Sequence, residues 1–105
     1  MQEPWDRKGL NFVNPPYGRK IAPWIAKCAS EAADGAEVIL LGPARTDTKW
    51  FQRVLAPSSP QVLLWEGRLK FLGATNSALF PSFLAYWGSN PEKFVRAFAG
   101  KGWIV

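Results

Sequence analysis

Apolar residues along this chain follow two patterns. Ile21, Trp24, Ile25, Cys28, Ala29 and Ala32 recur at steps of three and four, the stripe of one helix face. Pro23 is tolerated because it lies in the first turn, and Asp34-Gly35 supplies the stop. The second pattern is the short unbroken run. Leu10, Phe12 and Val13, closed by Pro15-Pro16, read as a buried strand, and Val38-Ile39-Leu40-Leu41 as a strand covered on both faces. Val62-Leu63-Leu64-Trp65 and the run from Ser82 to Trp87 are a third and a fourth strand.

The intervening stretches complete the prediction. Trp50, Phe51, Val54 and Leu55 mark a second helix, capped by Thr46 or Asp47 and broken by Pro57-Ser58-Ser59-Pro60. After a turn at Glu66-Gly67, Arg68-Leu69-Lys70-Phe71 alternates as a short strand does, and residues 72–81 read as loop. Asn90-Pro91-Glu92 opens a last helix with Phe94, Ala97 and Phe98 inward. Trp103-Ile104-Val105 is either a final strand or a docked tail. Gly100-Lys101-Gly102 reads as a helix-terminating glycine pair rather than a phosphate loop. This order predicts one α/β domain over residues 1–105. Its sheet is expected to be mostly parallel with a late antiparallel hairpin, flanked by two to three helices.

Composition changes this picture little, but it narrows the chemistry. A hydrophobic share of 48% in 105 residues is enough for one core and excludes a disordered chain. Thirteen Lys and Arg against eight Asp and Glu give a net charge of +5, which suits a polyanionic partner and an ordinary basic protein equally well. Histidine is absent and Cys28 is alone, so neither a zinc site nor an internal disulfide can be assembled. The solitary thiol favours a reducing, cytoplasmic setting. No apolar run is long enough to span a bilayer, and no membrane association is expected.

Asn14-Pro15-Pro16-Tyr17 carries the chemistry. An exocyclic amino group on a purine is a poor nucleophile, because its lone pair is delocalised into the ring. A catalyst must accept hydrogen bonds from both amino hydrogens so that the nitrogen moves toward tetrahedral geometry. The Asn14 side-chain carbonyl and the Pro15 backbone carbonyl can be those two acceptors. The paired prolines hold the second in an extended conformation and remove competing donors. Tyr17 can stack on a base swung out of its duplex. No ionised base is needed, so the lack of histidine is no obstacle. The competing reading is a plain strand-ending turn.

Asn14 to Gly18, followed by Ile21, Trp24, Ile25 and Lys27, resembles the phage-type DNA N-6-adenine methyltransferase (Dam) family. So does the stretch from Leu40 to Phe51, with Gly42-Pro43-Ala44-Arg45-Thr46-Asp47-Thr48 at its centre. Gly67 to Phe71 and Phe80-Pro81-Ser82 match in order and spacing, and the resemblance runs from about Trp5 to Trp87. It implies a partial Rossmann-like methyltransferase sheet, S-adenosylmethionine as cofactor if the protein is active, DNA as substrate, and a phage or prophage origin. Asn14, Pro15, Pro16 and Tyr17 would be the catalytic residues.

The resemblance covers the catalytic-motif portion only. No glycine-rich strand-to-helix turn stands ahead of Asn14, and no acidic residue follows one to hold a ribose. The expectation is therefore a truncated domain that needs a second half for catalysis. Its Leu10–Val13 strand would be left as an edge for self-association or a partner protein. The alternative is an inactive relative that binds DNA or a host defence protein, of the anti-restriction or anti-CRISPR type.

Further residues have two readings each. Arg45 and Thr46 are placed to hold a DNA phosphate, or else belong to a helix cap with Arg45 solvated. Arg68 and Lys70 share a strand face and, with Arg19 and Lys20, either extend a basic nucleic-acid surface or are a solvated face. Trp24, Trp50 and Trp65 are expected in the core, whereas Trp5 and Trp103 cover an edge or a partner.

Overall fold

A computed structural model describes residues 5–15, 21–69 and 81–105. Five strands form one sheet: β1 (Leu10–Val13), β2 (Glu37–Pro43), β3 (Gln61–Trp65), β4 (Ser82–Trp87) and β5 (Gly102–Ile104). Helix α1 (Ile21–Ala33) lies between β1 and β2, and α2 (Pro91–Ala97) between β4 and β5. The apolar stripe of α1 is realised, with Ile21, Ile25 and Cys28 buried. Gly35 ends the helix at φ 101°, letting the Ala36 N–H donate to the Glu31 carbonyl at 2.9 Å.

The spatial order is β1-β2-β4-β3-β5, and it corrects the expected sheet. Only β1 and β2 are parallel neighbours; β2–β4, β3–β4 and β3–β5 are all antiparallel. The βαβ returns nonetheless hold, since β1, β2 and β3 point the same way. What the pattern did not show is that β4 inserts between β2 and β3. All six of its residues are buried, so Ser82-Phe83-Leu84-Ala85-Tyr86-Trp87 needs a neighbour on each side. The central position gives it both.

Three further expectations change. The run Leu10–Val13 is buried only at Val13: Leu10 is 52% and Phe12 62% exposed, because β1 is the outer strand of the described sheet, with β2 on one side. The second helix is a π-helical turn (Phe51–Leu55) continued by a 3-10 turn (Ala56–Ser58). Pro57 has no N–H, and its ring crowds the carbonyl four residues back, so regular α bonding cannot continue through it. The side chain that reaches this helix is that of Thr48, whose hydroxyl accepts the Phe51 N–H at 3.4 Å, rather than that of Thr46 or Asp47. In α2 the inward residues are Phe94, Val95 and Phe98, while Ala97 faces out.

Two cores result, one on each face of the sheet. Val13, Ile21, Ile25, Cys28, Val38, Leu40, Phe83 and Trp87 pack beneath α1 and the π-helical turn. Ile39, Leu41, Leu63, Leu84, Tyr86 and Phe94 pack beneath α2. Trp24, Trp50 and Trp65 pack half-buried against these cores, and Trp103 on β5 is 69% exposed. No described helix is long and apolar enough to cross a membrane.

Candidate functional site

Because β1, β2 and β3 share a direction, the residues that follow each strand gather at one edge of the sheet. Asn14-Pro15 follows β1, Ala44-Arg45-Thr46 follows β2, and Glu66-Gly67-Arg68 follows β3. Pro81 and Ser82 open the inserted β4 at the same edge, where the Pro81 carbonyl accepts the Ala44 N–H at 2.7 Å. The four sequence blocks singled out above are far apart in the chain, yet their described parts meet here. This carboxyl edge is where open α/β sheets bind ligands.

Asn14 is exposed and Pro15 buried, directly after the last residue of β1. The Asn14 side chain has no hydrogen-bond partner among the described residues, so its carbonyl is available as an acceptor. Beside it runs an open groove of about 510 Å³, lined by Trp5, Phe12, Pro15 and Trp24 among others. Asn11 also lines it, but its amide is committed: Nδ2 donates to the Asp6 and Glu37 carbonyls at 2.8 and 3.1 Å. Pro16, Tyr17, Arg19, Lys20 and Lys70 lie outside the described residues.

The basic residues are more scattered than the sequence suggested. Arg45 and Thr46 are exposed in the turn after β2, and the Thr46 carbonyl accepts from Gln52 Nε2 at 2.9 Å. Arg68 is exposed two strands further along, in irregular chain rather than in a strand. The predicted strand face shared with Lys70 is therefore not formed at Arg68. Arg45 and Asn14 come from adjacent strands; Arg68 is separated from them by β4.

A second cavity, about 680 Å³, lies at the opposite end of the sheet and includes Glu37, Gln61, Tyr86 and Trp87 in its lining. Several of its polar groups are already engaged in hydrogen bonds. The Tyr86 hydroxyl donates to Glu37, Asn90 Nδ2 donates to the same carboxylate at 3.1 Å, and Trp87 Nε1 donates to Ser58 at 2.9 Å. Tyr86 and then Asn90 hold the Glu37 carboxyl below its usual range, while burial and the adjacent carboxylate push Tyr86 up to about 12. These are the marks of a structural network.

One cluster escaped the sequence reading. Glu31 on α1 accepts from Lys27 at 2.8 Å, from the Trp5 N–H at 2.7 Å and from Arg7 at 2.7 Å. Those donors, Lys27 foremost, bring its carboxyl down to about 2. The helical Lys27–Glu31 spacing was the visible signal; nothing in the sequence marked Trp5 and Arg7 as its partners.

The described residues do not fit S-adenosylmethionine. Among the described residues lining the groove beside Asn14 there is no carboxylate to accept ribose hydroxyls, and the second amide is spent. Among the glycines, Gly42 lies beneath Phe83 inside the sheet, and Gly67 and Gly100 serve turns at positive φ. None of the described glycines forms a strand-to-helix phosphate or cofactor turn. A family model described as DNA N-6-adenine-methyltransferase (Dam) matches residues 1–81. No curated protein and no solved structure matches the chain.

Proposed function

Since the chain belongs to the DNA N-6-adenine-methyltransferase (Dam) family, we propose that its Asn14–Tyr17 segment reads the exocyclic amino group of an adenine in DNA. The observation that carries this reading is the position of Asn14: exposed, unpaired among the described residues, and at the carboxyl edge where the other family blocks converge. The Asn14 and Pro15 carbonyls accept one amino hydrogen each, drawing the nitrogen toward tetrahedral geometry as it is methylated. The adenine must leave the duplex to reach them. Arg45, on the strand next to Asn14, is placed to hold a flanking phosphate. The sheet is compatible with a methyltransferase-like fold, and its Rossmann-like character is part of this proposal. A phage or prophage source and a cytoplasmic setting belong to it as well.

The methyl donor in this family reading is S-adenosylmethionine, which would supply the electrophilic methyl group. Because the described residues do not fit it, no step is assigned to them beyond reading the adenine. That misfit favours a second reading, an inactive relative that binds DNA or a host defence protein. We further propose that the exposed β1 edge pairs with a second copy or with a partner protein.

Calorimetry with S-adenosylmethionine, followed by a methyl-transfer assay on adenine-containing DNA, separates the two readings. On the first, Asn14→Ala abolishes transfer while the circular dichroism spectrum stays unchanged. Transfer retained by that variant removes Asn14 from the mechanism. No donor binding and no transfer by the parent chain, with DNA affinity intact, selects the second reading.

A further inference from the structure

Strand β1 delivers Asn14, yet among the described strands only β2 holds it within the sheet. Its other attachment is at its start, through the cluster around Glu31. Glu31 is 8% exposed and takes donors on both carboxylate oxygens: the Trp5 N–H and Arg7 Nη1 on Oε1, and Lys27 Nζ on Oε2. Arg7 closes the ring, donating to the Trp5 carbonyl at 2.7 Å and to Asp34 at 2.8 Å. The Lys27 ammonium lies 5.5 Å from the centre of the Trp5 ring. From this clasp the chain turns tightly into β1. The Asp6 N–H donates to Asn11 Oδ1 at 3.2 Å, and the Asn11 amide bridges Asp6 to the Glu37 carbonyl of β2.

The unit of β1 and α1 is thus closed at both ends. At the carboxyl edge the chain itself joins Val13 to Ile21; at the amino edge the Glu31 clasp joins the Trp5–Arg7 segment to the far end of α1. We infer that Glu31 is a positioning residue for Asn14. Through Trp5, Arg7 and Asn11 it fixes where β1 lies along β2, and hence where the Asn14 amide stands at the sheet edge. An edge strand without such a tie is free to fray or slip in register, and a displaced Asn14 would lose its alignment with the amino group. This inference rests on the reading of Asn14 given above, and the following test distinguishes failure of one from failure of the other.

The test uses the whole chain with Glu31→Gln, which keeps the shape and removes the charge, and Arg7→Met, which removes one arm at a partly exposed residue. Amide exchange by NMR is expected to quicken about tenfold or more for the hydrogen-bonded amides of Leu10–Val13, well beyond any change in β2 and β4. The Asn14 side-chain amide resonances shift or broaden with it. Arg7→Met gives the same pattern more weakly, and Glu31→Asp recovers part of it. Equal quickening in every strand, or an unmoved Asn14 resonance, overturns the inference and leaves Glu31 a general stabiliser. Where the parent chain transfers methyl groups, Glu31→Gln lowers kcat with KM kept; an unchanged kcat overturns the inference too. A parent chain with no transfer counts against the catalytic reading alone, and the exchange result still decides the role of Glu31.

Discussion

Gly42 lies directly opposite Phe83 in the β2–β4 ladder, and the Phe83 ring occupies the space a side chain at Gly42 would need. A Cβ there would stand 2.9 Å from Phe83 Cε1 and 3.1 Å from Cζ. Phe83 cannot easily retreat, since it is fully buried with Trp50 stacked at 6.3 Å and Phe51 edge-on at 5.4 Å. The glycine of the Gly42-Pro43-Ala44-Arg45 block therefore serves packing, and Arg45 is presented just beyond it. Gly42→Ala is expected to cost about 1–3 kcal/mol through overpacking, and Gly42→Val more. Denaturant titration measures this; an unchanged midpoint for both variants refutes the packing role.

Tyr86 joins the two ends of a different seam. Its hydroxyl donates to Glu37 at the start of β2 and accepts the Asn90 N–H at 2.8 Å, just ahead of α2. Tyr86→Phe removes both bonds and is expected to cost roughly 1–2 kcal/mol. The pH dependence has a definite sign. The tyrosine is pushed up to about 12 from an ordinary value of 10, so the folded state favours its neutral form. Its contribution is complete below pH 10 and is lost as pH rises through about 12. With two tyrosines in the chain, a tyrosinate absorbance titration should show one late step near 12 that vanishes in Tyr86→Phe. Survival of the late step in the variant would assign it elsewhere.

Much of this arrangement was legible in the sequence, and the unread part has a common cause. The stripe Ile21–Ala32 and the runs around Val38, Val62 and Phe83 announced their elements because local periodicity records which face is buried. The same runs could not say that β4 stands between β2 and β3, since a strand buried on both sides reads alike at any inner position. Leu10 and Phe12 look like core residues but lie at the rim, because exposure there is set by the missing neighbour and not by the side chains. The tetrapeptide at Asn14 was read from its chemistry. The Glu31 clasp was not, beyond its helical spacing from Lys27, as Trp5 and Arg7 are 24 to 26 positions away and no local pattern links them to Glu31.

Cys28 offers a check on the α1 core. The thiol is fully buried, and burial pushes it up to about 12, so almost no thiolate forms at neutral pH. A thiol reagent should react with native protein only through unfolding, at a rate that rises with denaturant in step with the loss of helix signal. Rapid labelling of the native state would mean that α1 does not seal the sheet as described.

The exposed β1 edge leads to a prediction about association. Leu10 and Phe12 sit on the outer strand, and the run Leu10-Asn11-Phe12-Val13 has no charge or proline to discourage pairing. A second copy can add its own β1 there, covering the open backbone groups of both strands. Two half-exposed side chains are a small patch beside the ~800 Å² per partner of a standard stable interface, so the association should be weak and concentration-dependent. Sedimentation velocity over a wide concentration range is expected to show a reversible shift from monomer to dimer. Phe12→Lys should abolish that shift while changing monomer stability by no more than about 0.5 kcal/mol, since the side chain is 62% exposed. A strict monomer at the highest concentration reached would refute self-pairing through β1. A dimer that persists in Phe12→Lys would place the contact elsewhere, with the exposed Trp103 on the opposite edge strand as the next residue to change.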